Sequence, residues 1–332
     1  MFKIKELRFR RRDGSVVSRD VPDDLNQALV AKACVNDYLV LAVSSSMELP
    51  EQSISKVKYK ERTAGFLIPG QALLSPQHPR NTDPHYAAYS LVAALDVCAR
   101  SFAGDFSLSS SAAEAERPGD IPFLEGDAYL VLWRDVIGSD DHSRFQPSLF
   151  LNGIYSHRGN RNYCGMDIIP SETITLKDPP IYSQYANSVF FNLYPYASFA
   201  PLKFFYAYQI IEMLIGIDFK VRSEAIRERL NAAAPVSITA LRDIVDDFKK
   251  SYQELPRIRE ILSPVCGITE SSLNRLLDDM EEDRKEKTFP EKIYRVRNIL
   301  FHEHLRAHDF DEGVMSVGDS LITYLAKNKF YS

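Results

Sequence analysis

The stretch TFPEKIYRVRNILFHEHL, residues 288–305, decides the fold predicted for the end of this chain. Thr288 and Glu291 have the spacing of a capping box, and Pro290 falls in the first helical turn, where proline is favoured. The residues that follow combine an apolar set with polar positions, as an amphipathic helix does. The stretch therefore predicts a capped helix close to the C-terminal end of the sequence.

This helix carries polar side chains among strongly apolar ones. Arg297, Asn298 and His302 stand between Val296, Ile299, Leu300 and Phe301. Burying a charge or an imidazole beside aliphatic side chains costs free energy unless each polar group finds a partner. Either these residues form the solvent edge of an ordinary surface helix, or they are present for chemistry.

Helical patterns continue on both sides of this stretch. Residues 202–219 are apolar almost all round, which predicts a buried helix. Ser237 or Thr239 caps an amphipathic segment, Thr269 is expected to cap another, and Asp309 or Asp311 begins a last one. The helix expected to begin at Thr269 and the last helix have these apolar positions: Leu273, Leu276, Leu277 and Met280 in the first, and Val314, Val317, Leu321 and Tyr324 in the second. We therefore expect an all-α domain over residues 191–332.

The first half of the sequence has mostly β-type patterns, in contrast to the helical patterns of the second half. Residues 2–21 alternate around Asp13 and Gly14, which predicts a β-hairpin, and residues 36–46, 126–136 and 147–155 are short β-type runs. Residues 85–102 are rich enough in Ala and Leu to form a helix, whereas 107–120 are small and polar, which is typical of a loop. Residues 1–190 are thus expected to form a mixed α/β or β-rich domain, and the whole chain is expected to be α+β.

Composition narrows the class of protein. The chain has 332 residues, a formal net charge of −5, and four cysteines without a CxxC pair. These features argue against a disulfide framework, a zinc knuckle and a generally basic nucleic-acid coat protein, and they favour the reducing cytoplasm. We find no signal peptide and no apolar run of the roughly 20 residues that span a bilayer.

The motif Arg297-Asn298-x-x-x-His302 resembles the signature of HEPN ribonucleases, in which an arginine and a polar residue precede a histidine. The setting is also similar, since a long apolar helix comes before the motif and one more helix follows it. The resemblance covers about the last 140 residues and is closest to HEPN domains of phage-defence and toxin proteins. RNTDPH, residues 80–85, fits the same string, but Pro79 and Pro84 flank or interrupt it, so it cannot be a continuous helix.

The resemblance implies metal-independent cleavage of RNA, without a cofactor, by attack of the ribose 2′-hydroxyl on the adjacent phosphate. His302 would transfer a proton, Arg297 would stabilise the phosphate in the transition state, and Asn298 would orient one of them. Since residues five apart on a helix point roughly 140° from each other, Arg297 and His302 suit a cleft shared by two copies. A homodimer through the C-terminal domain, with two histidines as base and acid, is therefore part of the hypothesis.

Other residues are assigned supporting roles. Glu212 lies within the apolar helix, where a carboxylate needs a cation, and we expect Arg297 or Arg295 to pair with it or the residue to support catalysis. Arg295, Arg158 and Arg161 are candidates for binding RNA, with tRNA as one substrate class. The resemblance further implies a phage-derived trigger or an antitoxin as partner, with the N-terminal domain as sensor or specificity domain.

Two alternatives to the ribonuclease hypothesis stay open, and the second is the weaker one. A non-catalytic HEPN-like module could bind RNA, a nucleotide or a protein through the same bundle. His304 and His308 have the i, i+4 spacing of metalloproteases, but no glutamate follows His304 where the zinc motif requires one, so we expect no metal site.

Overall fold

The computed structural model describes residues 6–10, 16–20, 37–73, 86, 89–90, 92–93, 96, 128–138, 141–157, 166–232, 237–264, 266–283, 287–302 and 308–331. The chain divides into two compact units, one of Met1–Tyr196 with Tyr331–Ser332 and one of Ala197–Phe330. The first unit contains the β-sheets and the second is helical, so the protein is α+β with a C-terminal helical region.

The first unit is organised around a six-stranded sheet with the strand order β7-β3-β6-β5-β4-β8. Neighbouring strands are antiparallel except for the parallel pair β4 and β8. A separate antiparallel pair, β1 and β2, joins Arg10 to Val16 and confirms the predicted hairpin pairing, while Asp13 and Gly14 lie outside the described residues. The strands are β1 Glu6–Arg10, β2 Val16–Asp20, β3 Tyr38–Ser45, β4 Ser55–Tyr59, β5 Arg62–Pro69, β6 Ala128–Trp133, β7 Ile154–Ser156 and β8 Thr173–Leu176.

Both faces of the six-stranded sheet are covered. Along β6, Val131 packs with one cluster that includes Tyr86, and Leu132 packs with another that includes Phe145. Successive residues of a strand point to opposite faces, so this continuous apolar run indicates burial on both sides. Gly65 lets β5 approach β6, because a Cβ there would lie 1.9 Å from the Val131 carbonyl oxygen.

Residues 147–155 are only partly a strand, contrary to the sequence prediction. Gln146–Phe150 form a short helix with Pro147 in its first turn, and only Ile154–Ser156 join the sheet as β7. Gly153 makes the turn between them with a φ of +68°, a backbone conformation that favours glycine. Proline fits the first helical turn better than the interior of a strand, which explains the error.

The helices are defined as follows, in chain order. The first unit contains α1 Arg134–Ile137, α2 Gln146–Phe150 and α3 Gln184–Ser188. The second contains α4 Ala200–Ala232, α5 Ile238–Tyr252, α6 Glu254–Ile261, α7 Gly267–Asp279, α8 Phe289–His302 and α9 Asp311–Leu325. Among the described residues, no helix is long and apolar enough to cross a membrane.

The helical unit packs around α4, which contacts α9, α8, α6 and α5. All eight apolar positions predicted for α7 and α9 are buried. A charged contact lies within this packing: the Lys203 ammonium is 3.1 Å from an Asp319 carboxylate oxygen, and the lysine is fully buried.

Two predictions for these helices are wrong in detail. The long helix extends well beyond residue 219 to Ala232, and Val221 on its second half is exposed. Thr269 does not cap α7, which Cys266 precedes; Thr269 is buried inside the helix and donates a hydrogen bond to the Ser320 carbonyl. A threonine hydroxyl can form its hydrogen bond either with a backbone carbonyl of a neighbouring helix or with the N–H groups at a helix start. The sequence does not distinguish these two arrangements.

Candidate functional site

Helix α8 carries the Arg297, Asn298 and His302 motif, and its position is fixed at both the start and the centre. At the start, the Thr288 backbone N–H donates to the Glu291 carboxylate at 2.6 Å, which confirms this half of the predicted capping box. In the centre, Val296 and Ile299 are completely buried against the other helices of the unit. The remaining face of α8 presents the motif.

The guanidinium of Arg297 lies over two aromatic rings. Its central carbon is 5.1 Å from the ring centroid of Phe301, one turn further along α8, and 5.9 Å from that of Tyr208 on α4. Aromatic faces attract cations at such distances, by about 0.5–1 kcal/mol at exposed sites and more when water is excluded. The charge of Arg297 is therefore held in one place.

The rings under Arg297 are themselves fixed. Phe301 packs on Phe205 of α4 with ring centroids 5.5 Å apart, and the Tyr208 hydroxyl donates to the Glu254 carboxylate at 2.8 Å. Burial, the hydrogen bond to Glu254 and the nearby Glu212 raise the pKa of the Tyr208 hydroxyl, and Arg297 opposes this rise. The phenol therefore remains a protonated donor at neutral pH, and it ties α4 to the start of α6.

Asn298 forms a hydrogen bond with Arg297. Its side-chain oxygen accepts a hydrogen bond of 3.1 Å from Nη1 of Arg297. The Nε of Arg297 is buried and, among the residues that the structure describes, has no hydrogen-bond partner. A phosphate could instead accept from the Nη groups, since the guanidinium has five N–H groups in all and the bond to Asn298 uses one of them.

His302 stands apart from this pair. It is the last residue of α8, and its side chain is exposed. Ideal helix geometry places it about 7.5 Å along the axis from Arg297 and roughly 140° around it. The structure brings Arg297 and Asn298 together, whereas no contact of His302 with either is found among the described residues.

The ion pair expected for Glu212 is not observed in the described part of the chain. Glu212 is exposed on α4, so its carboxylate is solvated and needs no cation. Arg295 instead binds Glu282 with two hydrogen bonds of 2.8 and 2.9 Å. Among the described residues, the effect of Glu212 on the site is that of its charge near Tyr208.

The pairing of Arg295 also bears on the predicted RNA contact. The Glu282 carboxylate is mostly buried and meets the guanidinium as a bidentate pair, the strongest geometry of its kind. A phosphate would have to compete with this carboxylate, so a role of Arg295 in RNA binding stays a prediction.

Several predicted positions cannot be placed. Arg158, Arg161, His304 and the RNTDPH segment lie outside the described residues, and so does the side chain of His308. Within the described ranges, no group of three or more His, Cys, Asp or Glu side chains is arranged to hold a metal ion.

Sequence reasoning missed the aromatic support of the site. Phe205 and Tyr208 are three residues apart on α4, and Phe301 is four residues after Arg297 on α8. These spacings place each pair on one helical face, which is a signal that the sequence contained. The sequence does not indicate which two helices pack against each other.

Comparison with protein-family models, curated proteins and solved structures finds no match to this chain.

Proposed function

We propose that this protein is a metal-independent endoribonuclease of HEPN type that works as a homodimer. Arg297 and His302 are the catalytic residues, and Asn298 positions Arg297. The N-terminal unit senses a trigger or selects the substrate, in a cytoplasmic role in phage defence or toxin-like growth arrest. The motif resemblance suggests this function, and the geometry of α8 supports it.

The single observation that carries the proposal is the placement of the Arg297 guanidinium. It lies over the rings of Tyr208 and Phe301, and beyond the bond to Asn298 its Nη groups retain donors that no described residue uses. A preorganised cation of this kind stabilises charge that develops in a transition state without reorganisation. On the same helix, the exposed imidazole of His302 can take the proton of a ribose 2′-hydroxyl.

The angle between the two side chains explains the homodimer. One copy of α8 cannot direct Arg297 and His302 at a single phosphate, because they point roughly 140° apart. Two copies related by a two-fold axis place the arginine of one opposite the histidine of the other.

One observation favours the non-catalytic alternative. Asn298 is engaged by Arg297, as it would be in a purely structural cluster, and not by His302. A bundle with such a cluster could bind RNA, a nucleotide or a protein without cleaving anything.

The deciding experiment is cleavage of total RNA and tRNA in EDTA by the full-length protein. Wild type is compared with His302→Ala and Arg297→Lys, and with Arg275→Ala as a control that removes an exposed arginine from α7. We expect cleavage with cyclic phosphate ends by wild type and the control, and a loss of at least about 100-fold in both motif variants.

Two results would contradict the proposal. Equal cleavage by all four proteins would place the activity elsewhere, and no cleavage by any of them, with phage extracts added as trigger, would favour the binding module. Growth arrest on expression that His302→Ala relieves would be independent support.

A further inference from the structure

The second half of α4 and helix α5 are consecutive helices that expose an unusual surface. The two helices pack against each other, and both Ile226 on α4 and Ile244 on α5 are buried. An ion pair of 2.7 Å between Arg229 and Asp247 connects them. Ser237 caps α5, since its hydroxyl accepts from the Ala240 backbone N–H at 3.1 Å.

An apolar stripe on α5 faces solvent. It consists of Ile238, Leu241, Val245 and Phe248, which are 85%, 48%, 43% and 40% exposed. Their spacing of three and four residues places them on one side of the helix, about 20 Å long over its 15 residues. Single exposed apolar residues are ordinary, but a contiguous stripe of four on one helix is typical of a binding surface. We call these four residues the α5 stripe.

Cations border the α5 stripe on its free side. On a helical wheel, Arg242 and Lys249 lie roughly 60–80° from the centre of the stripe, whereas the three aspartates of α5 lie roughly 120° or more away. Both cations are exposed, and within the described part of the chain the ion-pair contact of Lys249 is a long one, 4.0 Å to Asp246. The charges of α5 are thus segregated, with positive charge beside the apolar stripe and negative charge behind it.

Helix α4 borders the other side in the same way. Asp247 lies roughly 140° from the centre of the α5 stripe, so its ion pair with Arg229 is on the side of α5 turned away from the stripe. Leu230 and Arg227 lie roughly 100° and 160° from Arg229 on α4, which turns them from the ion pair toward the stripe, and both are exposed. We call Arg227, Arg242 and Lys249 the basic rim.

We propose that the α5 stripe and its basic rim are a docking site for an amphipathic helix of a partner protein, with an apolar face flanked by Asp or Glu. Such helices anchor in apolar grooves through residues at i, i+3, i+4 and i+7, which matches the length and spacing of the stripe. Acidic flanks would meet the basic rim, so charge complementarity selects this partner.

Charge also argues against a second copy of this chain as the occupant. Two copies packed face to face would bring two basic rims together, and no acidic side chain lies on this face among the described residues to compensate. An anionic lipid surface would meet the same basic rim, so vesicle binding is an outcome that the test below distinguishes. The proposal does not depend on the nuclease function.

The test uses full-length protein and two dye-labelled 18-residue helical peptides with the same apolar heptad positions, one with Glu and one with Lys at the flanks. Fluorescence anisotropy should show the Glu peptide binding at least about tenfold more tightly, with the difference shrinking at high salt. Arg242→Glu with Lys249→Glu should reverse the preference, and Leu241→Ser with Val245→Ser should abolish binding of both peptides. Val221→Ser is the matched control, because this exposed valine points away from the stripe.

Equal binding of both peptides, or no binding of either by wild type, would overturn the proposal. Two further results would do the same. One is self-association of wild type that the Leu241→Ser, Val245→Ser variant loses in analytical ultracentrifugation. The other is binding to vesicles with 30% phosphatidylserine in place of the Glu peptide. RNA cleavage should be unchanged in all these variants, so failure here and failure of the nuclease proposal are separable.

Discussion

At the scale of single residues, Lys203 is a completely buried charge in the helical unit. Its ammonium is 3.1 Å from Asp319, whose side chain is 23% exposed. Asp319→Ala leaves this ammonium buried without the carboxylate, so we expect a loss of about 3–5 kcal/mol in the free energy of unfolding, measured by denaturant titration. Lys203→Met should cost less, because water can still solvate part of Asp319.

The Arg229–Asp247 pair provides the control for this prediction. Both side chains are about half exposed, and an exposed pair contributes only about 0.2–1 kcal/mol. Asp247→Ala should therefore change the free energy of unfolding by that small amount. Equal losses in Asp319→Ala and Asp247→Ala would contradict the account of the buried pair.

A substitution of Arg297 should reduce RNA cleavage while leaving the stability of the protein nearly unchanged. Arg297→Lys keeps the charge over Tyr208 and Phe301 but loses the planar donors that bind phosphate as a fork. We expect the free energy of unfolding to change by less than about 1 kcal/mol while RNA cleavage falls strongly. An unfolding curve shifted as far as that of Arg297→Ala, with cleavage intact, would instead mark a purely structural arginine.

At the scale of helices, the capping box of α8 predicts a pH dependence. Hydrogen bonds from the Thr288 side chain and backbone lower the pKa of the Glu291 carboxyl below its ordinary value of 4.5. The unfolded chain therefore binds the proton first as pH falls, so this contribution is complete above pH 4.5 and is lost below it. Glu291→Gln should flatten the decline of stability between about pH 5 and 3 relative to wild type.

Thr288→Ala tests the same cap at neutral pH. The Thr288 hydroxyl donates to the Glu291 carboxylate at 2.6 Å. Loss of a capping side chain costs about 0.5–2 kcal/mol, and we expect a loss in the free energy of unfolding in this range, measured by thermal or urea unfolding. Ser271→Ala, on the exposed surface of α7, is the control and should change stability by less than about 0.5 kcal/mol. A loss no larger than that of the control would show that the cap does not stabilise α8.

Two helical glycines give a matched pair. A Cβ at Gly216 of α4 meets nothing within 4 Å, so Gly216→Ala should stabilise the protein by about 0.5–1 kcal/mol through helix propensity. A Cβ at Gly313 of α9 would lie 2.9 Å from Leu276, which is completely buried. The stability gained from helix propensity should therefore be cancelled or reversed in Gly313→Ala, as measured by denaturant unfolding. An equal gain in stability in both variants would contradict the close packing of α7 and α9.

How much the sequence predicts depends on the range of the interaction. The Glu291 half of the capping box and the buried leucines of α7 follow from spacings within one helix, and they are confirmed. The solvation of Glu212 and the ring of Tyr208 under Arg297 depend on which faces of α4 and α8 meet. That choice rests on tertiary packing, which local patterns do not encode. The second half of α4 continues as helix because no glycine or proline interrupts it before Pro235.

At the scale of the whole molecule, the proposed shared cleft predicts that an inactive variant also inactivates the wild-type chain with which it dimerises. An Arg297→Ala, His302→Ala double variant is co-expressed with wild type, and tandem affinity tags select the mixed dimer. In a shared cleft Arg297 of each copy acts with His302 of the other, so both combinations lack one residue in the mixed dimer, and only one of the two histidines remains. We therefore expect the mixed dimer to be inactive on RNA, whereas a mixed dimer of wild type with Arg275→Ala should retain full activity. Half of the wild-type activity in the first mixed dimer would show that each chain holds a complete site, and failure to isolate any mixed dimer would contradict the homodimer itself.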